Sequence, residues 1–133
     1  MRDVRLSFDR ARSAEFAKEF YATLLASDPR IRAKFERTNF AVQQEMLVHG
    51  VYALLDYVEG KAVGKMALER LARSHGPKKI GVTVDMYERW ADAFLKTLRR
   101  TDPLYDDALD QRWRETIKPA LETLAAKVEA QRQ

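Results

Sequence analysis

The stretch Leu68-Glu69-Arg70-Leu71-Ala72-Arg73-Ser74-His75-Gly76-Pro77 places one imidazole at the end of a short amphipathic helix. Leu68, Leu71 and His75 stand at i, i+3 and i+7 and share one helix face, whereas Glu69, Arg70 and Arg73 fall on the other side. Gly76 is a natural helix terminator, and Pro77 disfavours helical geometry in the residue before it, so the helix stops there. An imidazole on the apolar side of a last turn suits a neutral nitrogen ligand reaching across an apolar cavity towards a metal. The same position also suits a core histidine bonded to a carbonyl, or a helix-end cation facing the macrodipole. The rest of the chain bears on that choice.

On the N-terminal side of this helix, expected over about 62–75, Gly60 ends a long helix expected over about 40–58. Thr38 or Asn39 would cap it, and Gln43, Leu47, Gly50, Val51, Leu54 and Val58 fall on one of its sides. A glycine at mid-helix costs about 1 kcal/mol relative to alanine, and a close helix–helix crossing at Gly50 would account for it. Asp28-Pro29 reads as a cap followed by a first helical residue, opening a short helix with Ile31 and Phe35. Before it, Ser13 caps a helix to about residue 26 with ridges Phe16-Phe20-Leu24 and Ala17-Tyr21-Leu25. A short first helix over 3–11 would use Leu6 and Phe8. On the C-terminal side, Thr83 caps a helix to about Arg100, with Tyr87, Ala91, Phe94, Leu95 and Leu98 inward. Asp102-Pro103 then repeats the cap-plus-proline form and opens a final helix through Trp113, Ile117 and Leu124, with Pro119 inside it.

Composition narrows the function classes. The 133 residues suit one domain over 1–133, and 46% hydrophobic with 33% charged residues is ordinary for a globular chain. Five Gly and four Pro are too few to punctuate a many-stranded sheet fold. No apolar run is long enough to cross a bilayer, and Arg2, Asp3 and Arg5 interrupt any opening signal peptide, so neither membrane nor export is expected. The absence of cysteine excludes a disulfide framework, a zinc–thiolate site and a thiol nucleophile, and a cytoplasmic location fits. The net charge of +4 is spread among 20 acids rather than gathered in a basic run, so nucleic acid is not the expected partner.

An all-α chain of about seven helices could be a bundle or a globin-like fold. The uneven helix lengths, with a very short element wedged at 29–35, favour the second. His49 follows Glu45 at i+4 without a second matching motif, so the paired acids and histidines of a di-iron bundle are missing. Phe20-Tyr21-Ala22-Thr23-Leu24-Leu25-Ala26-Ser27-Asp28-Pro29, then Phe35, Gln43 and Leu47, then Leu71-Ala72-Arg73-Ser74-His75, Tyr87 and Trp113 stand in an order that resembles a bacterial single-domain globin. It is similar in particular to the globin domain of flavohaemoglobins, over roughly residues 6 to 128. The resemblance implies haem b sandwiched between the distal helix (about 40–58) and the proximal helix (about 62–75). It implies His75 as the iron ligand, Phe35 against the ring, Tyr21 and Gln43 as hydrogen-bond donors to the gas, and Leu47 as the residue limiting distal access. Gln44 competes with Gln43 for its part, and Tyr87 would touch the proximal side or simply pack. No acid in the final helix stands in register with the one completing the flavohaemoglobins' proximal network, although Glu129 lies close.

The function so implied is binding of O2, NO or CO at a five-coordinate ferrous iron, for oxygen binding or for NO dioxygenation with electrons from a separate reductase. A gas-sensing module signalling through a partner is the alternative. A globin-fold interaction module without haem fits less well, given Tyr21, Phe35 and His75 together. Lys78 and Lys79 either meet haem propionates or belong to a solvated loop.

Overall fold

The computed structural model describes residues 1–76 and 81–131, so Lys78 and Lys79 lie outside the described residues. Its seven helices are α1 (Arg2–Ala11), α2 (Ala14–Ser27), α3 (Pro29–Lys34), α4 (Phe40–Val58), α5 (Ala62–Ser74), α6 (Val84–Thr101) and α7 (Asp107–Ala130), and no strand occurs among the described residues. Local chemistry sets the early starts. Ser13 Oγ accepts from the Phe16 amide at 3.2 Å, Asp28 Oδ1 from that of Arg30 at 2.7 Å, and Asn39 Oδ1 from those of Ala41 and Val42 at 3.1 and 3.4 Å. Each bond satisfies an orphan donor of a first turn. Asn39 rather than Thr38 is therefore the cap of α4. Thr83 stands at the N-cap of α6, but its hydroxyl donates to Asp85 instead of capping.

The final helix starts later than the sequence suggests. Although Asp102-Pro103 imitates Asp28-Pro29, α7 begins at Asp107, with Asp106 accepting from the Leu109 amide at 2.8 Å. Asp102 instead ends α6 with its carboxylate drawn inward. It accepts from Ser7 Oγ at 2.6 Å, from Arg10 Nε at 2.7 Å and from the Leu104 amide at 3.0 Å, while Trp113 Nε1 donates to Ser7 Oγ at 3.0 Å. Burial would push the Asp102 carboxyl up, but Arg10, Ser7 and the Leu104 amide outweigh it and hold it below 3.8. A carboxyl lowered in the folded state stabilises in full above its unfolded value and loses that contribution as pH falls through the folded one. Asp102→Asn should therefore flatten the fall in urea midpoint between pH 5 and 2. A slope as steep as that of the unaltered protein would remove Asp102 as its source.

The core lies where α1, α2, α6 and α7 meet. Phe94 is fully buried at its centre, its ring 5.0 Å from Trp90, 5.2 Å from Trp113, 5.7 Å from Phe16, 6.0 Å from Phe8 and 6.3 Å from Phe20. In α1 it is Val4 and Phe8 that face this core, while Leu6 is exposed. The helix α7 continues through Pro119. Among the described residues no helix is long and apolar enough to cross a membrane.

α4 and α5 pass with backbone close to backbone, and Gly64 makes that approach possible. A β-carbon there would collide with the Tyr57 backbone nitrogen and lie 2.5 Å from the Asp56 carbonyl carbon. Alanine is the better helix former by about 1 kcal/mol, yet backbone cannot swing aside as a side chain can. Gly64→Ala should thus be destabilising on balance, by about 1–3 kcal/mol in urea unfolding. A stabilised variant would show that the two helices stand further apart. Gly50, the glycine expected at a crossing, has nothing within 4 Å of a β-carbon. Its surroundings are empty because it faces a cavity.

Candidate functional site

A cavity of about 330 Å³ opens among α2, α3, α4, the end of α5, α6 and α7. That volume lies within the range of ligand pockets, roughly 300–1,000 Å³. The α4 stripe Gln43, Leu47, Gly50, Val51 and Leu54 forms one wall, as its helical spacing requires. Tyr21, Phe35, His75 and Tyr87 line it too, so all six residues singled out in the sequence meet at one place. Gln44 does not line it, and His49 is exposed on another face of α4.

His75 occupies the C-cap position of α5. Its Nδ1 lies 2.8 Å from the Leu71 carbonyl oxygen and 3.0 Å from Ser74 Oγ. Because a carbonyl only accepts, Nδ1 carries the proton, and the Nε2 lone pair has no partner among the described residues. Burial pushes the imidazole below its usual 6.5, partly offset by the bond to Leu71. The ring is therefore neutral at pH 7, in the tautomer suited to binding a metal through Nε2.

Tyr21 and Gln43 form a pair on the α2–α4 wall. Gln43 Nε2 donates to Tyr21 Oη at 3.1 Å, and the phenol's own proton has only a 3.5 Å contact with the Gln43 carbonyl oxygen. Burial pushes the Tyr21 hydroxyl up to about 12, so it stays a donor at neutral pH, although the Gln43 bond pulls the other way. Phe35 lies 5.7 Å from the Tyr21 ring and 6.1 Å from that of Phe40, giving the corner after α3 an aromatic lining. Tyr87 is 8% exposed, and its hydroxyl is buried without a hydrogen-bond partner among the described residues. Burial pushes it up to about 12. An orphaned donor of this kind costs about 1–3 kcal/mol.

Met46, Trp90 and Lys34 also line the cavity and were not singled out in the sequence. Trp90 follows Tyr87 by three residues and Met46 follows Gln43 by three, so helical spacing carried a signal for both. Lys34, the last residue of α3, likewise follows Ile31 by three. Among the described residues, no group of three or more His, Cys, Asp or Glu side chains could hold a metal ion. A metal bound by His75 would have to arrive with most of its ligands.

Helices of uneven length enclosing an apolar cavity, with one histidine at the end of the helix that follows the long α4, define a globin-like fold. Among solved structures the chain is similar to the crystal structure of protein PA3967 from Pseudomonas aeruginosa PAO1, described as structurally highly homologous to a human hemoglobin. The TM-score is 0.88, with 29% identity over 95% of each chain. This likeness supports a bacterial single-domain globin without pointing to flavohaemoglobins in particular. No family model and no curated protein matches the chain.

Proposed function

We propose that the chain binds haem b through His75 and uses it to bind a diatomic gas, O2 foremost, with NO and CO as other ligands. The observation that carries this reading is the neutral His75 imidazole, tied at Nδ1 and without a partner at Nε2 among the described residues, in the wall of a cavity within a globin-like fold. The residues present fit such a group. A lone imidazole suits a metal whose other ligands come with a tetrapyrrole, Gly50 leaves the α4 wall clear, and the Tyr87 hydroxyl has no acceptor among the described residues where a bound group could supply one. When bound, iron protoporphyrin IX supplies a metal with a position open to a gas. Phe35 and Leu47 offer apolar packing, and Tyr87 closes part of the wall.

The Tyr21–Gln43 pair gives the pocket a polar preference. Gln43 orients the phenol by donating to its oxygen, which leaves the phenol proton for a ligand bearing partial negative charge. One such bond is worth about 1.5–3 kcal/mol, or roughly 10–100-fold in a dissociation rate. Tyr21→Phe should accelerate O2 release by about that factor and CO release far less, read by stopped-flow displacement. Equal changes for both gases would reduce Tyr21 to a packing residue.

Titration with haemin tests the reading as a whole. A sharp Soret band saturating at one equivalent, followed by CO binding after reduction, is expected. An unchanged haemin spectrum would sink the proposal. Turnover of NO to nitrate, with electrons from a separate reductase, is the finer version of this reading, and nitrate yield after mixing with NO in air decides it.

A further inference from the structure

We propose that Gln131 is a positioning residue for His75, acting through the last turn of α5. The inference rests on the haem reading above. The final carbonyls of a helix lack intrahelical partners and must find others. At the end of α5, Leu71 O accepts both the His75 amide at 3.0 Å and His75 Nδ1 at 2.8 Å. Arg73 O takes the Gly76 amide at 3.5 Å. Between them, Ala72 O accepts from Gln131 Nε2 at 2.6 Å, a side chain 59 residues away at the C-cap of α7.

Gly76 permits that approach. A β-carbon at Gly76 would collide with Gln131 Oε1 and lie 3.1 Å from its Cδ. Gly76 is not among the glycines with positive φ, which are Gly60 and Gly81, so its backbone conformation does not demand glycine. What a β-carbon there would meet is the end of the flexible Gln131 side chain, which can swing aside, so the substitution dislodges that amide and leaves the turn's own backbone allowed. Gly81 and Val82 also bond to this point: His75 O accepts the Val82 amide at 3.3 Å and Gly76 O that of Gly81 at 2.9 Å. The amide of Gln131 therefore holds a carbonyl of this turn that, among the described residues, neither the imidazole nor the following backbone reaches. A second link from α7 to α5, Lys127 with Glu69, joins side chains at the surface and has little hold on the turn.

Three variants test this. Gln131→Met keeps side-chain length without a donor, and Gly76→Ala displaces the Gln131 amide without altering it. Both should release haem to apomyoglobin roughly tenfold faster, the loss expected when the hydrogen-bond support of a metal ligand is removed. Both should also shift the iron–imidazole stretching band of the reduced protein and speed amide exchange at His75 and Val82 in the haem-free protein. Lys127→Ala should do none of this. Unchanged release, band and exchange in the first two variants would overturn the proposal, and so would an equal effect of Lys127→Ala. If the unaltered protein takes up no haem, the haem reading falls, and amide exchange alone still decides whether Gln131 holds the turn.

Discussion

His75→Ala should abolish tight haem binding while leaving the fold in place. Among the described residues the side chain makes only local hydrogen bonds, with Leu71 O and Ser74 Oγ, and alanine keeps the backbone bond from residue 75 to Leu71. Losing them should cost about 0.5–1.5 kcal/mol of stability, a small part of the roughly 5–15 kcal/mol typical of a domain. Haem affinity is another matter, because no other imidazole lines the cavity. Removing a partner of a metal ligand costs roughly 10–100-fold, and removing the ligand itself should exceed that. Haemin titration of the variant beside its thermal melt separates the two effects. Undiminished affinity would place the iron ligand elsewhere and make the free Nε2 incidental.

Phe94→Ala should be the most damaging single truncation in the core. The ring is fully buried and meets five other aromatic rings drawn from α1, α2, α6 and α7. Losing its transfer free energy and leaving a cavity costs about 3–5 kcal/mol, and edge-to-face pairs add to that. For a chain of this length the loss corresponds to a fall in melting temperature of about 10–20 °C. The effect should reach the site, since Trp90 stacks on Phe94 and lines the cavity, and Phe20 touches both Phe94 and Tyr21. A loss below about 1 kcal/mol in urea unfolding would mean that the neighbouring rings collapse into the space.

The sequence was most legible where structure is made locally. Ser13, Asp28 and Asn39 each bond an amide two or three residues ahead, and such partners can be read from spacing alone. The α4 stripe was readable for the same reason, and its i, i+4 relation between Gln43 and Leu47 brings Gln43 rather than Gln44 to the cavity. Misreadings came where a distant residue decides. Asp102-Pro103 looks like Asp28-Pro29, yet Ser7 and Arg10 capture the Asp102 carboxylate from more than 90 residues away. Gly50 lies mid-helix in α4 and Gly64 in the first turn of α5, and only packing reveals which faces a cavity and which a backbone. The grip of Gln131 on Ala72 follows no spacing rule at all.

The network around Asp102 also constrains how the chain can be made. α1 is made well before α6 and α7, which hold part of its contacts: Phe16 and Tyr52 reach Phe8 sooner, but Ser7 waits for Asp102 and Trp113, and Phe8 for Phe94. These are long loop closures, slow to form and late in synthesis. Until α6 and α7 have emerged, Phe8 has the rings of Phe16 and Tyr52 beside it but not that of Phe94. The buried polar anchor of α1 is thus among the last of its contacts to form, and the nascent chain carries part of that helix's apolar face uncovered until then.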